Sequence, residues 1–222
     1  MWKLGGERGR ARLRAIARAS TIPGCVLALA IGVGPVQAQN RAAVSMPPAT
    51  ALESRGSARP ISAWADFCNR VPTECEVGPD EPRMITLTDE VWRLLVTVNS
   101  RVNATIKPMT DQKHWGMPDR WDLAEDGYGD CEDYQLLKRN LLAEQGLPRR
   151  AMRMTVVIDD LDQGHAVLTV RTDRGDFVLD NRTDSVLPWN ATGYTFVKQE
   201  GDGTGAWVSL DGVASPITTA AR

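Results

Sequence analysis

The sequence predicts an α+β domain in which helices come first and an antiparallel sheet packs against them. Between residues 88 and 146 apolar positions recur twice at helical spacing. Between 152 and 180 they form short, β-rich runs separated by turn residues. A basic stretch followed by an apolar run sets the first 38 residues apart from this domain.

Thr88-Asp89 can cap a helix running to about Ala104, with Val91, Leu94, Leu95, Val98 and Val102 on one face and Lys107-Pro108 ending it. A polar, tryptophan-containing loop leads to Gly129. The second helix spans Cys131 to Gln145, with Asp130 as N-cap and Gly146 and Pro148 as stop. Tyr134, Leu137, Leu141 and Leu142 form its apolar face. Strands are expected at Met152–Ile158, His165–Arg171 and Phe177–Leu179, the last two joined by the turn Thr172-Asp173-Arg174-Gly175. Trp189–Gly205 and the tail beyond Leu210 carry no assignment.

The 222 residues suit one domain, and 42% hydrophobic with 24% charged residues excludes wholesale disorder. The net charge of −2 hides an asymmetry. Six basic residues against Glu7 give residues 1–38 about +5, leaving the rest at about −7. An acidic body disfavours a nucleic-acid partner. Residues 1–38 read as a signal peptide: the basic stretch ends at Arg18, an apolar run covers Ile22 to Val36, and Val36-Gln37-Ala38 offers a cleavage site. An uncleaved amphipathic anchor is the rival. Cys25 lies too early in the apolar run to read as an acylation site. Residues 39–60 read as a flexible linker and 61–222 as the functional domain, periplasmic or secreted.

Cys68 and Cys75 lie close together in FCNRVPTEC, and an oxidising compartment favours a disulfide between them over a metal site with no second ligand pair nearby. That leaves Cys131. At the first turn of a helix it meets the positive end of the macrodipole, which favours thiolate; a small buried core cysteine is the bland alternative. His165, one of two histidines, begins a strand and can face the helix start as a base. Asp180 ends the next strand, where it can orient the imidazole, although a strand-end aspartate alone proves nothing. Trp115 and Trp121 can line the cleft or pack in the core, and His114 reads as a loop histidine.

The order Cys, His, Asp on helix, strand and strand is that of papain-like and transglutaminase-like cores. FCNRVPTEC (67–75), VNSRVN (98–103), HWGMPDRW (114–121), GYGDCEDY (127–134), GHAVLTV (164–170) and FVLDN (177–181) resemble the bacterial transglutaminase-like cysteine peptidases. The resemblance implies a nucleophile-bearing helix on an antiparallel sheet and a triad of Cys131, His165 and Asp180. It implies an exported protease acting on a protein substrate, with a surface adhesin as candidate and a membrane protein as candidate regulator. It also implies calcium, with Asp130 and Glu132 as candidate ligands.

Charge points the same way. Glu125, Asp126, Asp130, Glu132 and Asp133 crowd Cys131, with no Lys or Arg between Asp122 and Leu137. One carboxylate about 6 Å from the sulfur would disfavour thiolate by about 2–3 kcal/mol at an effective dielectric near 20. A bound hard cation removes that conflict; acids merely solvated at a helix start are the alternative. Three other functions share these features: transglutaminase-type acyl transfer to an amine, a catalytically silent binding module, and a calcium-stabilised structural protein.

Overall fold

The computed structural model describes residues 45–210. The expected signal peptide and Cys25 lie outside them. Among the described residues no helix is long and apolar enough to cross a membrane.

In chain order the elements are β1 (Gly56–Ala58), α1 (Ser62–Arg70), α2 (Asp89–Thr105), β2 (Lys107–Pro108), α3 (Asp111–His114), β3 (Tyr128–Gly129) and α4 (Cys131–Glu144). Then come β4 (Met152–Ile158), β5 (Gly164–Thr172), β6 (Gly175–Asp180), β7 (Thr183–Pro188), β8 (Thr195–Glu200) and β9 (Trp207–Ser209). β1 and β4–β9 form one seven-stranded sheet in the order β1-β9-β8-β4-β5-β6-β7, antiparallel at every pairing. The expected α+β architecture is present.

Both helix ends obey the local chemistry of their residues. Thr88 caps α2, its Oγ1 accepting from Val91 N at 3.2 Å. α4 stops at Gly146, whose φ of 88° suits a residue without Cβ. Strand alternation divides the core in two. Leu168, Val170, Phe177 and Leu179 join the main core with Trp92, Leu95, Leu136 and Leu142. Their neighbours Val167 and Val178 join a smaller cluster with Val157, Phe196, Leu52 and Leu210.

α4 packs on β5 and α2. Its far half is tied by charge: Arg139 bonds Glu200 at 2.6 Å and the Glu74 carbonyl at 3.0 Å, and Glu200 also accepts from Trp64 Nε1 at 2.8 Å. With Arg139 only 2% exposed, losing one partner would strand a buried charge. This lock holds the helix carrying Cys131 against α1 and β8.

Two segments depart from the expectation. In the stretch 39–60, expected as a flexible linker, the described residues pack along the sheet. β1 pairs with β9, Leu52 is buried, and Leu52 N donates to Asp176 Oδ2 at 2.8 Å. The partners lie more than a hundred positions away, so no local pattern announces them. Likewise β7, β8 and β9 complete the sheet from a region without a legible period. The expected disulfide joins Cys68 and Cys75, with Cα atoms 5.5 Å apart.

Candidate active site

Cys131 is the first residue of α4 and only 4% exposed. The segment before it is built around a close approach: a Cβ on Gly129 would lie 2.7 Å from the Asp133 side chain. Asp133 uses that space to accept from Asp130 N at 3.2 Å and from Asp122 N at 2.7 Å, fixing the turn into the helix.

The sheet supplies the other groups. Ala166, next to His165 on β5, aims its backbone N–H at the Cys131 sulfur. His165 Nε2 bonds Asp180 Oδ1 at 2.8 Å, and both side chains are buried. Burial raises the Asp180 pKa, but the His165 bond and charge, with the Arg182 N–H and the Tyr194 hydroxyl, outweigh it and leave the carboxyl below its ordinary value. Asp180 is therefore the acceptor. Nε2 carries the hydrogen toward it, and Nδ1 is the nitrogen left for other work.

Tyr194 is a site residue that sequence reasoning missed. Its hydroxyl donates to Asp180 Oδ2 at 2.7 Å. It lies in the unassigned stretch after Trp189, and no motif marks it. The remaining expectations sort themselves by burial. Trp121 is fully buried in the core, whereas Trp115 is 39% exposed with the Arg120 guanidinium over its ring. His114, expected in a loop, is instead the last residue of the short helix α3 and bonds Asp126 at 2.8 Å.

The acidic residues are closer to one another than the sequence suggests. Ligand oxygens of Asp111, Asp119 and Glu132 lie within 4.8 Å of each other, as do those of Asp111, Asp130 and Asp133. The expected pair Asp130 and Glu132 thus belongs to a five-carboxylate cluster with Asp133, joined by Asp111 from the start of α3 and Asp119 from the loop after it. Burial first, then mutual repulsion, raises the carboxyls of Asp130 and Glu132; Asp130 reaches about 6. Asp119 also rises to about 6, chiefly by burial. Oδ1 of Asp111 and Oδ1 of Asp130 are buried without a hydrogen-bond partner among the described residues. Buried oxygens that repel one another and include unsatisfied acceptors suit a hard divalent cation.

The thiol feels the same field. Cys131 Sγ donates to Glu132 Oε2 at 3.1 Å. Its pKa is pushed well up, first by burial, then by the charges of Glu132 and Asp130, with only the Ala166 N–H opposing. The helix-start position, expected to favour thiolate, is thus overridden while the carboxylates are uncompensated. Burial removes the water that would otherwise screen them.

A cysteine opening a helix, packed on an antiparallel sheet that presents a histidine–carboxylate pair, belongs to the transglutaminase-like class of folds. The family model described as bacterial transglutaminase-like cysteine proteinase BTLCP matches residues 53–215, and the chain belongs to that cysteine proteinase family. Similar solved structures are those of LapG from Legionella pneumophila. The calcium-bound form is 22% identical with a TM-score of 0.47, covering 70% of this chain and 83% of that one. The EGTA-treated form is 23% identical with a TM-score of 0.45, covering 71% and 80%. No curated protein sequence matches the chain.

Proposed function

We propose that this chain is an exported cysteine endopeptidase that hydrolyses a protein substrate through Cys131, His165 and Asp180, with calcium held by the acidic cluster. The observation that carries the reading is the junction of α4 and β5. There the Ala166 N–H meets the Cys131 sulfur and the adjacent His165 is bonded to Asp180 at 2.8 Å. Nδ1 of His165 takes the thiol proton as Cys131 attacks the peptide carbonyl, and the imidazole then gives that proton to the leaving amine. In the second half His165 takes a proton from water, which attacks the thioester and releases the acid. Asp180 keeps the imidazole oriented and stabilises its charged form throughout.

Asp111, Asp119, Asp130, Glu132 and Asp133 would hold the calcium ion, whose charge offsets theirs and lowers the cost of the Cys131 thiolate. The Cys68–Cys75 disulfide supports an extracytoplasmic location. A surface adhesin is the candidate substrate, following the family resemblance, and a membrane protein the candidate regulator.

The test is to incubate the mature protein with the exported proteins of its own cell and sequence the new termini. Calcium-dependent termini that vanish with Cys131→Ala are expected. The same termini from Cys131→Ala would overturn the assignment. Incorporation of an added amine in place of hydrolysis would redirect it to transglutamination.

A further inference from the structure

We propose that Asn99 and Asn103, one turn apart on α2, are positioning residues for the Asp180 carboxylate. This rests on the reading of Asp180 as a member of the triad. Asp180 N donates to Asn99 Oδ1 at 3.2 Å, and Asn103 Nδ2 donates to the Asp180 carbonyl at 3.0 Å. Both backbone groups of the residue are therefore held by side chains from one helix face. Both amides also reach past Asp180 to the Thr183 carbonyl, at 2.9 Å from Asn99 and 3.0 Å from Asn103. Asn103 Nδ2 lies 3.0 Å from Asp184 Oδ1 as well. The pair grips the whole β6–β7 turn.

The grip falls where the sheet is least able to provide one. Between Val178 and Asp180 the register with β7 shifts, so the ladder is irregular where the carboxylate leaves the strand. Asparagine is also a poor choice for a helix interior, because its amide competes for backbone partners. Two of them at i and i+4 within α2 direct those amides to a distant turn. The carboxylate itself is held by Arg182 N at 3.1 Å, Tyr194 at 2.7 Å and His165 at 2.8 Å. The asparagines hold the peptide from which it projects. Orientation losses of this kind typically cost roughly 10- to 100-fold in rate without altering the reacting groups.

Three readouts separate positioning from plain stability: the melting temperature, the rate of Cys131 alkylation by iodoacetamide in calcium at neutral pH, and the imidazole N–H proton of His165 by NMR. The variants are Asn103→Ala, whose parent side chain is only half-buried, and Asn99→Asp, which keeps the acceptor but loses the donor. Val98→Ala removes buried packing from the same helix without touching the turn. Both asparagine variants should slow alkylation about tenfold or more and broaden the His165 signal. Val98→Ala should melt lower yet react at the parent rate. Should Asn99→Asp fail to fold, Asn103→Ala and Asn103→Gln carry the comparison, the glutamine retaining part of the rate. Parent-like alkylation and an unchanged His165 signal in Asn103→Ala would overturn the proposal. His165→Ala is the reference: if it does not slow alkylation, the triad reading itself fails, whatever the asparagines do.

Discussion

Stripping divalent ions should lower the melting temperature by an amount that grows with pH. Asp130 is 1% exposed, and burial followed by repulsion from Asp111 and Asp119 raises its pKa from 3.8 to about 6. Without an ion, the folded state holds that proton more tightly than the unfolded chain does. The stability this contributes is fully present below about pH 4 and lost as pH rises through about 6. Two pH units at about 1.36 kcal/mol each make the loss on the order of 3 kcal/mol. Asp119 shifts in the same direction to about 6, but both it and Asp130 are hydrogen-bonded to Glu132 and repel each other, so the two losses do not simply add. A bound cation takes the deprotonated carboxylates and removes the penalty. At about 2–4 °C per kcal/mol for a domain of this size, the gap between calcium-loaded and stripped protein should reach roughly 6–12 °C near pH 7.5. It should narrow toward about pH 5 as the carboxyls keep their protons. Thermal melts in chelator, calcium and magnesium across that range measure it. Asp130→Asn should raise the melting temperature of the stripped protein while weakening the calcium response. No gap near pH 7.5, or an equal gap at both ends, would refute the reasoning.

Cys131→Ala and His165→Ala should each abolish hydrolysis of a verified substrate while leaving the circular dichroism spectrum unchanged. Retained cleavage by either removes that residue from the mechanism. Asp180→Asn should reduce turnover by several orders of magnitude with little change in KM, since it unsettles the tautomer that presents Nδ1. Tyr194→Phe should cost about 10- to 100-fold in kcat, because one hydrogen bond to a charged group contributes about 1.5–3 kcal/mol and His165 keeps its own; a loss matching that of Asp180→Asn would assign the hydroxyl a larger role. Replacing Cys68 and Cys75 with alanine opens a loop closed across a sequence separation of 7. Chain entropy puts that at about 2.4 kcal/mol, or about 5–10 °C in melting temperature, and an unchanged melt would show that α1 and the main core hold the segment alone.

α2 and α4 were legible because their signals are local. Thr88, Asp130 and Gly146 sit at the helix ends, and the apolar spacing between them has the helical period. β4, β5 and β6 were legible from β-branched runs around a four-residue turn. The same locality exposed Cys131 at a helix start, His165 and Asp180 on successive strands, and the crowd of carboxylates near the thiol. β1, Leu52, β8 and Tyr194 were not legible. Each is defined by a partner far along the chain, such as Asp176 for Leu52 and Asp180 for Tyr194.

What the sequence determined by itself was the inventory: which elements form, in what order, and which reactive side chains stand at their ends. Neighbouring residues carry that information through backbone preference and apolar period. Only the tertiary structure decided the environment of those side chains. Folding brings Asp111 and Asp119 beside Glu132, lays Asn99 and Asn103 under Asp180, and excludes water around Cys131. A pKa or a hydrogen bond depends on distance and solvent access, and neither is encoded by spacing along the chain.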